Sequence, residues 1–141
     1  MKQLAWAVVT LGLLIAAPAI VEAQQGTEQA PVQLGRNYPN PFNPETTIPF
    51  DLDQSLWATG QQPVVSLRIY NVLAQLVAVP ILQGSGELLE NVRLEWNGTG
   101  HYAAYWDGMV RGTDREAASG VYVYQLIVNG APFTEKMTIV K

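Results

Sequence analysis

Val121-Tyr122-Val123-Tyr124-Gln125-Leu126-Ile127-Val128-Asn129-Gly130 decides the fold. β-branched and aromatic side chains suit a pleated, half-buried surface. The run stops on Asn-Gly, the dipeptide that accepts the positive φ of a two-residue hairpin turn. Phe133 to Lys141 (FTEKMTIVK) follows, with Met137 and Ile139 on one face. A terminal β-hairpin is therefore predicted. Outward from it the same alternation recurs. Val64–Val72 (VVSLRIYNV) turns Val65, Leu67 and Ile69 one way and Ser66, Arg68 and Tyr70 the other. Thr46–Leu52 (TTIPFDL) sets Ile48, Phe50 and Leu52 on one face, with Pro49 arguing for an edge position. Gln75–Leu82 (QLVAVPIL), Asn91–Trp96 (NVRLEW, with Val92, Leu94 and Trp96 aligned) and Gly100–Asp107 (GHYAAYWD) are further strand candidates. Turn clusters such as Gln83-Gly84-Ser85-Gly86, Asn97-Gly98-Thr99-Gly100 and Asp107-Gly108 separate them. About seven short strands with regular turns imply an all-β antiparallel sandwich. Leu67, Ile69, Tyr122, Leu126 and Ile139 share strand parity and are expected in one core between two sheets. Trp106 and Tyr124 are expected to help fill it.

Before the first long strand stands Asn37-Tyr38-Pro39-Asn40-Pro41-Phe42-Asn43-Pro44-Glu45-Thr46-Thr47-Ile48. No helix passes through it, because each Pro lacks an N–H and fixes its own φ. Tyr38, Asn40 and Asn43, each before a Pro, are pushed toward extended geometry. The segment is a stiff, turn-rich lead-in without nucleophile, base or metal cluster, which turns the question from chemistry to binding and targeting.

The chain has 141 residues, no cysteine and a net charge of −4. Residues 1–23 read as a secretory signal: Lys2 gives the positive start, Leu4–Ile15 is apolar, and Val21-Glu22-Ala23 ends in small residues. Cleavage between Ala23 and Gln24 is expected, with a weaker site after Ala19. The apolar run is short for a spanning helix, and Pro18 interrupts its end. No Cys is present to acylate, which excludes a lipoprotein signal. Residues 24–35 read as a polar linker, and residues 36–141 as one domain of ordinary size. An exported domain without disulfides depends on core packing. No clustered Lys/Arg points to nucleic acid.

Four ordered blocks resemble a known family. They are Asn37–Pro44 with Thr46-Thr47-Ile48; Leu67–Val77 (LRIYNVLAQLV); Trp106-Asp107-Gly108 with Ser119–Leu126 (SGVYVYQL); and Lys136-Met137-Thr138-Ile139-Val140-Lys141 at the C-terminus. Together they resemble the type A C-terminal sorting domain of cargo proteins of the bacterial type IX secretion system. They are also similar to the Ig-like domain of flagellar hook-capping proteins. The resemblance covers about residues 36–141 and implies a small Ig-like β-sandwich. It implies Sec export to the periplasm, recognition by an outer-membrane translocon, and release or attachment at the cell surface. The recognised positions would be Tyr38, Pro39, Asn40, Pro41, Phe42, Asn43, Pro44, Thr46 and Thr47, with Lys136, Met137, Val140 and Lys141 in the last strand. The family usually has Gly where Ala74 stands; with φ > 0 there, Ala costs on the order of 1 kcal/mol. Leu82–Trp96 is longer than usual, as if a hairpin were inserted. The chain is expected to stand alone or to be a short surface protein carrying this domain. The alternative is a structural interaction module of a surface or flagellar-type assembly.

Nothing in the sequence assembles an enzyme, a cofactor site or a small-molecule substrate site. His101 is the only histidine and has Tyr102 and Tyr105 beside it, which favours packing over catalysis. Asp107, Asp114 and Glu116 share a loop, but their spacing matches no twelve-residue calcium loop. Asp51 and Asp53 flank Leu52 and read as the wet face of a strand rather than an acid pair. Asn97-Gly98-Thr99 fits a glycosylation acceptor, yet the turn reading is sufficient. Trp57, beside Gly60, is expected to be exposed and available to a partner. Tyr70 and Phe42 fit either the core or a recognition surface.

Overall fold

The computed structural model describes residues 30–141. The leader 1–23, the Ala23–Gln24 cleavage pair and linker residues 24–29 lie outside the described residues. The strands are β1 (Val32–Leu34), β2 (Thr46–Leu52), β3 (Val64–Tyr70), β4 (Leu76–Ala78), β5 (Ile81–Leu82), β6 (Val92–Arg93), β7 (His101–Trp106), β8 (Gly120–Val128) and β9 (Ala131–Ile139). One sheet has the order β1-β2-β7-β5; the other has β4-β3-β8-β9, with β6 also on β3. Every pairing between these strands is antiparallel. This is the strand order of an immunoglobulin-type sandwich, A-B-E-D facing C-F-G with an added strand beside C.

The core follows from strand parity. Ile48, Phe50 and Leu52 of β2 face Val65, Leu67 and Ile69 of β3 and Tyr122, Tyr124, Leu126 and Val128 of β8, all buried. The five residues expected to share one core do so, at 0 to 7% exposure. Each buried aliphatic contributes about 1.5–3 kcal/mol relative to an exposed one. The terminal hairpin forms as read: Val128 pairs with Ala131 across Asn129 and Gly130, both at positive φ (48° and 84°). Ala74 also takes positive φ, 58°, at the β3–β4 tip.

Four expectations need correction. Val32–Leu34, assigned to the linker, is β1 and pairs with β2. Gln75–Leu82 is two strands in opposite sheets, because the chain crosses the sandwich edge at Val79-Pro80. Asn91–Trp96 pairs on β3 only through Val92 and Arg93. Pro49 sits in β2 between β1 and β7, not at an edge. The ladder tolerates it because β1 ends at Leu34: Gly35 N donates to Pro49 O (2.9 Å), and the reciprocal bond is missing. The Gly35 carbonyl so released accepts the Tyr124 hydroxyl instead (2.7 Å). A Cβ on Gly35 would stand 2.8 Å from Pro49 Cγ, so the close approach requires glycine.

Candidate functional site

The segment between β1 and β2 leaves one sheet and reaches the other. Its base is closed by Tyr38 N donating to Thr47 O (2.8 Å) and Thr47 N to Tyr38 O (2.9 Å). Asn37 lies buried beneath it, where its Nδ2 donates to Thr46 Oγ1 (3.0 Å) and Pro39 O (3.2 Å). Thr46 Oγ1 donates to the same Pro39 carbonyl (3.1 Å). Asn37 N donates to the Tyr124 hydroxyl (3.1 Å), which ties the loop to β8. The Tyr38-Pro39, Asn40-Pro41 and Asn43-Pro44 bonds are all cis. Burial pushes the Tyr124 hydroxyl up to about 12, against the smaller opposing effect of the Asn37 N–H.

The loop tip then pairs with the end of β9. Asn40 Oδ1 accepts from Thr138 N (3.2 Å), Phe42 N donates to Thr138 O (3.1 Å), and Val140 N donates to Phe42 O (3.1 Å). The Phe42–Ile139 pairing is parallel. Phe42 itself is buried between the sheets, edge-on to Trp106 at 5.7 Å, and Trp106 meets Tyr122 at 5.9 Å. Trp106 Nε1 donates to Met109 O (3.0 Å). Pro44 O presses on Gly108, where a Cβ would stand only 2.1 Å away and φ is 83°. That explains why Gly follows Trp106-Asp107.

The thirteen positions marked from the sequence thus divide into two roles. Phe42, Thr46 and Met137 are buried and build the joint, with Thr47 half-buried beside it. Tyr38, Pro39, Asn40, Pro41, Asn43, Pro44, Lys136, Val140 and Lys141 are exposed and available to a partner. The structure brings Asn40 and Phe42 to the terminal strand; Tyr38 faces away, beside Pro49 and Gln83 of the other sheet. Lys141 is held at the surface by Glu116 (3.2 Å) and by Ser119 Oγ, which accepts from its N–H (3.1 Å). The sequence motifs include Asn37 and Thr138, and Tyr124 is expected in the core, but sequence reasoning placed none of the three in this joint. The even parity of Thr138 in β9, opposite to buried Met137 and Ile139, was the readable sign for one of them.

The remaining candidates have structural jobs. His101 corrects the expectation of packing: its side chain is exposed, and its Nδ1 lies 2.7 Å from Asp51 Oδ1. Asp53 caps the 3-10 turn Gln54–Trp57, and its bond from Ser55 holds its carboxyl below the usual range. Asp107 Oδ1 accepts from Met109 N (2.9 Å), and Glu116 pairs with Lys141. Among the described residues no three His, Cys, Asp or Glu side chains converge as metal ligands. Asn97 organises its own turn: Oδ1 accepts from Thr99 N (3.0 Å) and Gly100 N (2.8 Å), while Nδ2 donates to His101 O (2.7 Å). Trp57 corrects the expectation of exposure. Its Nε1 donates to Leu94 O (2.9 Å), and its ring packs on Trp96 at 5.1 Å and Tyr102 at 6.4 Å. A partly buried indole N–H finds such a partner.

Comparison of the chain with family models, with curated proteins and with solved structures finds no match.

Proposed function

We propose that this chain is an exported, non-enzymatic β-sandwich whose joint between Asn40–Phe42 and Thr138–Val140 is a sorting element of the type IX kind. The leader 1–23 delivers it through the Sec machinery to the periplasm. There it folds without disulfides, and an outer-membrane translocon reads the joint on the way to the cell surface. One observation carries the reading: two blocks that separately resemble the family's signal meet on one strand edge, across 98 residues of sequence between Asn40 and Thr138. A recognition element benefits from such construction. The prolines stiffen the loop, Phe42 anchors it, and the exposed residues are held in one geometry before any receptor arrives, which lowers the ordering cost of binding.

The test is a fusion of residues 24–141 to the C-terminus of a reporter behind its own Sec signal, in a host with type IX machinery. The reporter is expected at the cell surface or in the medium. Deleting Lys136–Lys141 is expected to trap it in the periplasm. Because the deletion also removes buried Met137 and Ile139, circular dichroism must show whether the truncated domain folds. The Asn40→Ala tag, which leaves the core intact, gives the same test in a folded domain. A folded truncation exported as well as the full tag defeats the sorting reading. A second reading, a structural interaction module of a surface or flagellar-type assembly, is favoured by one feature. Val72 and Leu73 stand 74% and 73% exposed on a loop that is fixed by hydrogen bonds to the Asn71 side chain.

A further inference from the structure

We propose that the outer face of the sheet β4-β3-β8-β9 is a docking surface for an extended acidic–apolar segment of a partner protein. The inference does not depend on the sorting reading, although Lys136 belongs to both surfaces. Cross-strand partners share a face, so the outer rows follow from the register. Arg68, Gln125 and Thr134 form one row; Tyr70, Val123 and Lys136 form the next. Val121, 45% exposed, continues the face beyond them, and Val72 overhangs it from the β3–β4 loop. Between them lies a groove of about 350 Å³ with Tyr70, Val72, Ala74 and Val123 as its apolar lining and Asn71, Gln125 and Thr134 as its polar one.

Charge chooses the occupant. The protein carries a net −4. Yet β3 and β8 hold no carboxylate, and the one on β9, Glu135, pairs with Tyr124 on the inward parity. Arg68 and Lys136 stand at opposite corners of these two rows, flanking the groove rather than lining it, and Arg93 shares the face opposite Val64. A positive, partly apolar face on an acidic molecule attracts an acidic, partly apolar partner. Spacing limits the pattern. Strands lie about 4.8 Å apart and same-face residues about 6.7 Å apart, which separates the Arg68 and Lys136 Cα atoms by roughly 12 Å. In an extended segment, carboxylates four positions apart span about 13 Å on one face, with the residue midway between them on the same face. An acidic–x–apolar–x–acidic segment therefore sets its central side chain over β8 between Val123 and Gln125, with its carboxylates at Arg68 and Lys136.

The probe is the end-capped peptide Glu-Ser-Leu-Ser-Glu, titrated into isotope-labelled full chain and followed by amide chemical shifts. Shifts are expected at Tyr70, Val123, Gln125 and Thr134, weakening as salt rises. Replacing both Glu by Gln is expected to weaken binding about tenfold, the effect of two exposed charge contacts, and replacing the Leu by Ser is expected to weaken it further. Arg68→Gln with Lys136→Gln is expected to weaken binding about tenfold, the effect of two exposed charge contacts, and each single change about threefold. Circular dichroism checks that these variants fold. The proposal is overturned if the shifts are absent or map elsewhere, or if the Gln peptide or the charge variants bind as well. It is also overturned if the peptide fails while phosphatidylglycerol vesicles bind the face, or while concentration-dependent self-association covers it.

Discussion

The two halves of β9 have the same neighbour and different edges. On one side the whole strand pairs with β8. On the other, Thr138 and Val140 meet Asn40 and Phe42. Backbone groups of alternate residues point to alternate sides of an antiparallel strand, so Thr134 and Lys136 turn theirs outward in the same way, with no strand among the described residues hydrogen-bonded to them. Pro132, at the same parity, has no N–H to offer. The terminal residues are therefore not the free hook that their position at the chain end suggests. They are capped by the proline-rich loop, and the open edge is the stretch before them. A terminal motif in a sequence can be one half of a joint whose other half lies at the start of the domain.

The largest blow to this arrangement is Phe42→Ala. It removes a fully buried ring and its edge contact with Trp106, and is expected to cost about 3–5 kcal/mol in denaturant unfolding. Amide exchange at Val140 should then rise to match that at Lys136, making the two halves of β9 alike. Protection at Val140 that survives the change would show that the loop does not shield the end of β9.

Tyr124→Phe acts on the base of the loop rather than its tip. Losing the bonds to Gly35 O and from Asn37 N is expected to cost about 1–3 kcal/mol. The same hydroxyl gives a pH signature. Its value is near 10 when unfolded and about 12 when folded. The stabilisation is complete below pH 10 and is lost as pH rises toward 12, at about 1.4 kcal/mol per unit. The Phe variant should lose less stability across that window than the parent; equal slopes would contradict the burial of this hydroxyl.

Ala74→Gly acts at the β3–β4 tip, away from both edges of β9. Ala74 pays for a φ of 58° at the β3–β4 tip, so glycine is expected to raise stability by about 1 kcal/mol. Exchange in both halves of β9 should keep its order. A destabilised variant would show that the alanine methyl has a packing role.

Much of the sandwich was legible because its long strands alternate cleanly. Val64–Tyr70, Gly120–Val128 and the Asn129-Gly130 turn needed no tertiary information. β1 was missed because three residues carry too little period to separate a strand from a polar linker. Gln75–Leu82 read as one strand because alternation records which side faces inward, not which sheet is joined, and a crossing at Val79-Pro80 leaves the pattern intact. Trp57 was misread because its exposure depends on Trp96, Tyr102 and the Leu94 carbonyl, all distant in sequence. The candidate site was half legible: the motif residues stood out, but their meeting did not. A parallel pairing between Phe42 and Ile139 leaves no mark in either segment alone.

The most direct measurement is export of the reporter carrying an Asn40→Ala tag. The change removes one exposed side-chain bond, to Thr138 N, and is expected to cost only about 0.5–1.5 kcal/mol, leaving the domain folded by circular dichroism. If the joint is what the translocon reads, the folded variant accumulates in the periplasm while the Ala74→Gly tag is exported like the parent. If Asn40→Ala is exported as efficiently as the parent, the joint is only a structural clasp and the sorting account is wrong.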